Sequence, residues 1–174
     1  MRRTLKGSLL GLLMTGLILA TLITSTAVSG ELVNFKQLLP FVELKLPGWE
    51  MAEKPSGTTV KHESVQMSEA KAGFRAGDKT LEVVVLDFVG QSMPWLAMLP
   101  QVEMETSEEY MRSTTINGFK ALETYKFKDK HGELNINVAD RFWVKLEGEG
   151  IENTEPLKAA AQQMDLKKLA TLAK

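Results

Sequence analysis

Two histidines, 22 acidic residues and no cysteine bound the chemistry open to this 174-residue chain. Without cysteine there is no thiol nucleophile, no disulfide, no iron–sulfur cluster and no thiolate zinc site. Asp129, His131 and Glu133 stand two apart, a spacing that on a strand would put all three on one face and let them hold a metal ion. Lys128-Asp129-Lys130-His131-Gly132 has instead the composition of a turn, and its alternating lysines oppose a cation. We read this stretch as a hairpin loop and expect no metal and no cofactor. His62 lies beside Glu63; a His62/His131 pair would suit a small hydrolase, while the plainer reading of each is a surface histidine.

The acids crowd into two groups, Glu103, Glu105, Glu108 and Glu109, then Glu147, Glu149, Glu152 and Glu155. Paired carboxylates serve as acid and base in sugar hydrolysis. Neither group has the layout of a calcium loop, and Glu155 at a helix start would favour the helix dipole. We read both groups as solvated borders of strands and a helix. No Gly-x-Ser-x-Gly elbow and no phosphate-binding glycine loop occurs. Met93, Met98, Met104 and Met111, with Trp95, make a soft apolar stretch. Thioethers can bind Cu(I), but these methionines are not spaced as tight pairs. Core packing is the first reading of the stretch; the second is an adaptable partner surface formed by Met93, Trp95, Met98 and Leu99.

The elements that must carry these residues follow from periodicity. Residues 31–41 suit a short helix ended by Pro40. Val42, Leu44 and Leu46 alternate with charges, as in a strand stopped by Pro47-Gly48. Lys54–Gly57 reads as a turn and Val60–Phe74 as one strand. Residues 80–89 are β-branched and apolar on both faces, which calls for a central strand covered on both sides. Ser92-Met93-Pro94-Trp95 opens a helix that Pro100 kinks or ends. An antiparallel meander follows, over Glu108–Ile116, Phe119–Phe127, Glu133–Val138 and Phe142–Glu147, its first turn marked by Asn117-Gly118. Thr154 and Asp165 cap two closing helices. The expected core includes Leu81, Val83, Val85, Phe119, Tyr125, Leu134, Ile136, Phe142 and Val144. The fold class is α+β, an antiparallel meander of six or seven strands with helices on it, in a three-layer α-β-α sandwich.

This order resembles the PsbP-like family of secreted or lumenal α-β-α sandwiches. The likeness rests on Leu46-Pro47-Gly48-Trp49 after an early strand, the late hairpin Leu134–Val138 with Phe142–Glu147, and the closing helix. The resemblance implies a protein that docks on partners without catalysis; it carries across no functional residue.

Residues 1–29 have the layout of a cleavable secretory signal: Arg2, Arg3 and Lys6, an uncharged apolar run from Leu9 to Ile23, then small residues ending Ala27-Val28-Ser29. The run is shorter than the roughly 20 residues of a membrane span. An uncleaved anchor and, through Arg2-Arg3, a twin-arginine signal are the alternatives. Residues 30–174 then form a single domain, acidic after Arg2, Arg3 and Lys6 are removed, and not suited to gripping phosphate backbones. The expectation is an exported, non-catalytic binding or assembly module of the periplasm or cell exterior. It has an envelope protein as partner, no nucleic acid, and no membrane span once the signal is gone. The alternative is a small exported hydrolase using carboxylates or the His62/His131 pair.

Overall fold

The computed structural model describes residues 30–62, 65–89 and 102–173. The chain opens with helix α1 (Phe35–Val42), then strands β1 (Glu50–Met51), β2 (Ser56–His62), β3 (Val65–Ala76) and β4 (Lys79–Phe88). Strands β5 (Glu103–Glu105), β6 (Glu109–Ile116), β7 (Phe119–Lys126), β8 (His131–Val138) and β9 (Phe142–Glu149) follow, then helices α2 (Glu155–Gln163) and α3 (Leu166–Thr171). The nine strands form one antiparallel sheet in the order β1-β3-β4-β9-β8-β7-β6-β5, with β2 also on the β3 edge. The chain therefore builds one half of the sheet as β2-β3-β4, starts again at the far edge with β5, and meanders back until β9 pairs with β4.

Alternation along the strands divides the sheet into two unlike faces. Leu81, Val83 and Val85 of β4 align with Gly148, Leu146 and Val144 of β9, and these with Gly132, Leu134 and Ile136 of β8. This face and all three helices make one core, with Leu38, Phe41, Leu157, Ala161 and Leu169 packed on it. Of the expected core residues, Phe119 is partly buried and packed against the cluster, and the others are buried. The opposite face carries Glu82, Glu133, Lys145 and Glu147.

The α+β three-layer sandwich is therefore wrong. The described chain is mostly β, a single large sheet with few helices, and those helices lie on one face. The error came from β4. Its outward residues Val84 and Leu86 are buried to 8% exposure and suggested a second helical layer. Their cross-strand neighbours are Lys71 and Lys145 for Val84, Glu69 and Trp143 for Leu86. Long stems and an indole ring shield apolar surface as a helix would.

Other departures are local. Pro40 lies inside α1, where it removes one backbone bond without ending the helix. Val42 closes that helix, so the expected strand at residues 42–46 does not form. Residues 60–74 are two strands, β2 and β3, and the expected turn at Lys54–Gly57 runs into β2. His131 and Gly132, expected in the loop before the strand at Glu133, are the start of β8. Asn117 and Gly118 make the expected tight turn, with φ of 51° and 90°. Among the described residues no helix is long and apolar enough to cross a membrane. Residues 1–29 and the proposed contact residues Met93, Trp95, Met98 and Leu99 lie outside the described residues.

Candidate functional site

On the open face, β4, β9 and β8 lie side by side. Glu82 is directly opposite Glu147, and Glu147 is directly opposite Glu133. Three carboxylates thus stand in one row across three strands, an arrangement that repels itself. His131 projects from the same face of β8, two residues before Glu133. Its Nε2 lies 3.3 Å from Glu133 Oε1 and 3.5 Å from Glu147 Oε1. Lys145 Nζ holds the other oxygen, Glu147 Oε2, at 2.5 Å. Burial disfavours the charged form of Lys145, but the bond to Glu147 and the surrounding carboxylates outweigh it and push its pKa up. The imidazole is 18% exposed and the two carboxylates about a third, so the cluster is half sunk in the face and still open to water.

The backbone beneath is clamped from the core side. Gly132 and Gly148 are register partners and face α2. A Cβ on Gly148 would stand 2.7 Å from Ile151 Cδ1, and one on Gly132 3.1 Å from the same atom. Glycine at both positions lets residues 151–157 settle onto the sheet directly behind His131, Glu133 and Glu147.

Beside this cluster, sharing Glu147, a groove of about 410 Å³ runs over β3, β4 and β9 and is bordered by residues 52–54 and Ser56. Its walls carry Lys54, Lys71 and Arg75 against Glu53, Glu82 and Glu149. Gly73 forms part of the floor, with open space where a side chain would stand.

The structure sorts the sequence candidates. His131 and Glu133 do share a strand face; Asp129 stays in the turn before β8. Their third partner is Glu147, from the second acidic group, and only the β8–β9 register could have revealed it. His62 pairs with Val65, nine residues along β3 from Phe74, whose row leads through Leu81 and Gly148 to Gly132. That places His62 about 30 Å along the strands from His131, and the two histidines do not meet. Glu103 and Glu105 are exposed on the edge strand β5. Glu152 makes an exposed ion pair with Lys130 at 2.6 Å, and Glu155 pairs with Lys158 at 3.0 Å in the first turn of α2.

Two ionic networks went unforeseen, both on the helix-covered face. Asp87 and Arg141, 0% and 1% exposed, are paired with Nη2–Oδ2 at 2.8 Å. Glu123, fully buried, accepts from Arg112 at 2.9 Å, from Tyr110 at 2.7 Å, and from the Thr154 hydroxyl; Lys158 Nζ stands 3.1 Å away. The sequence held a faint sign of the second: Ala121, Glu123 and Tyr125 share a strand face, which puts a carboxylate among inward residues.

No family model, no curated protein and no solved structure matches this chain.

Proposed function

We propose that this chain is an exported, non-catalytic binding module of the cell envelope, and that an envelope protein docks on the open face of its sheet at the charged groove. The observation that carries the reading is the one-sided cover among the described residues: the three described helices pack on one face, and the groove with charges of both signs lies on the other. A rigid sheet lined by Lys71, Arg75, Glu82 and Glu149 favours a partner with a complementary charge pattern, where electrostatics select the partner more than they add affinity. The competing hydrolase reading loses its His62/His131 pair to the strand register.

Export rests on the pattern of residues 1–29. Intact-mass measurement on protein recovered from the native host is expected to show Gly30 at the N-terminus, or Val28 where the cut follows the second small-x-small site, Ser25-Thr26-Ala27. A chain starting at residue 1 or 2 would end the cleaved-signal reading and leave the uncleaved anchor.

Docking is tested by cross-linking in the native envelope followed by capture of the tagged chain. A partner band is expected with the wild type and is lost in a Lys71→Glu, Arg75→Glu variant, both positions lying on the surface of the sheet. Loss instead with Trp95→Ala alone would move the contact to the Met93–Leu99 stretch and away from the groove. Bands unchanged by both variants, or none above background, count against the module.

A further inference from the structure

We propose that His131, Glu133 and Glu147 form a binding site for one divalent metal ion of the zinc class. The proposal goes beyond the binding-module reading and stands without it, since it needs no partner protein.

The geometry carries it. One ligand atom from each residue can be chosen so that all three lie within 4.8 Å of one another. Zinc holds nitrogen and oxygen ligands at 2.0–2.2 Å in a tetrahedron, which sets neighbouring ligand atoms about 3.3–3.6 Å apart. The Nε2–Oε1 separations of 3.3 and 3.5 Å match the edges of that polyhedron. Two of the three edges of the ligand triangle thus stand at coordination length, and the third, between Glu133 and Glu147, closes within 4.8 Å.

Charge supplies a second argument. The row Glu82–Glu147–Glu133 brings three negative charges, and Lys145 returns one positive charge. With His131 neutral, as a ligand must be, the three carboxylates still outnumber the two lysines at the patch, Lys145 and the Lys126 that stands opposite His131 on β7, so an incoming cation meets a net negative surface. Lys145 also acts on orientation: by holding Glu147 Oε2 it leaves Oε1 turned to the imidazole, as hydrogen-bonded neighbours of metal ligands commonly do. The mixed nitrogen and oxygen donors favour a transition ion over calcium, which takes oxygen alone.

The support is rigid. Gly132 and Gly148, pressed by Ile151 from the core side, fix the backbone immediately next to each ligand. Two ligands come from one strand and the third from its paired neighbour, so the β8–β9 register is itself the scaffold. Three protein ligands leave a fourth position toward solvent, the open layout that lets a zinc ion bind water or an incoming group.

The test uses the purified chain, stripped with chelator and titrated with zinc chloride by calorimetry, with the metal content of the dialysed protein measured independently. One zinc per chain is expected. His131→Ala and Glu133→Gln are each expected to weaken binding at least tenfold while keeping the wild-type circular dichroism, because both side chains are partly exposed on the open face. Cobalt(II) is expected to give the intense visible bands of a tetrahedral site in the wild type and not in His131→Ala. Equimolar calcium should not compete. Absence of zinc binding, or binding unchanged in both variants, would overturn the site. Binding unchanged in Lys71→Glu, Arg75→Glu would separate it from the groove.

Discussion

Asp87→Ala is expected to remove about 3–5 kcal/mol of folding stability, more than loss of any other carboxylate among the described residues. Asp87 takes three hydrogen bonds: Arg141 Nε at 2.9 Å, Arg141 Nη2 at 2.8 Å, and the Val33 amide at 2.8 Å. Arg141 also donates to the Glu31 carbonyl at 2.6 Å. Deleting the carboxylate strands a guanidinium that is 1% exposed and cannot turn to water. It also leaves the Val33 amide without its acceptor, so the segment leading into α1 loses one of its ties to the sheet, the Phe35 amide to Thr59 Oγ1 remaining. Against a typical stability of roughly 5–15 kcal/mol, that loss is a large fraction of the total. Urea denaturation of wild type and variant at pH 7 measures it. The double variant Asp87→Leu, Arg141→Met removes both charges and is expected to recover much of the loss, though not the part owed to Val33. A single variant within 1 kcal/mol of wild type would show that the pair contributes little to the fold.

The element order of the meander, the Asn117-Gly118 turn and the closing helices were legible because each is written locally. Period-two alternation, a turn residue suited to positive φ, and caps are properties of a few adjacent residues. Asp165 accepts from the Lys168 amide at 3.0 Å, as its position before Leu166 suggested. Thr154 shows where local reading stops. It precedes α2, yet its hydroxyl turns inward to Glu123 and makes no capping bond. Residues 60–74 read as one strand because no glycine or proline separates β2 from β3 in the sequence. The outer face of β4 failed for the opposite reason: the apolar pattern was read correctly, but long side chains on β3 and β9 cover it, and sequence does not say which strands will be neighbours. The candidate metal site divides the same way. The two-residue spacing of His131 and Glu133 was visible, whereas Glu147 joins them only through the register of β8 with β9.

Glu123 differs from Asp87 in that its cations reach solvent, and this gives its effect a pH signature. Burial raises the Glu123 pKa, but hydrogen bonds from Arg112, Thr154, Tyr110 and Lys158 outweigh that and hold it down at about 2. In the unfolded chain the carboxyl titrates near its usual 4.5. As pH falls, the unfolded chain therefore takes up the proton first. The contribution is complete above pH 4.5, shrinks as pH falls toward the folded value of about 2, and vanishes below it. At about 1.4 kcal/mol per pH unit, it amounts to on the order of 3 kcal/mol at pH 7 as an upper limit. Arg112 is 49% exposed and Lys158 17%, so both can rehydrate in part when the carboxylate is lost. Glu123→Gln is therefore expected to cost about 2–3 kcal/mol at pH 7, less than the Asp87 variant. The gap between wild type and Glu123→Gln should fall to under half by pH 3, because the remaining acids titrate alike in both chains. Paired urea melts at pH 7, 5, 4 and 3 follow that gap. A difference that stays constant across the series would show that Glu123 acts through shape and hydrogen bonding alone, and that its charge adds nothing to the fold.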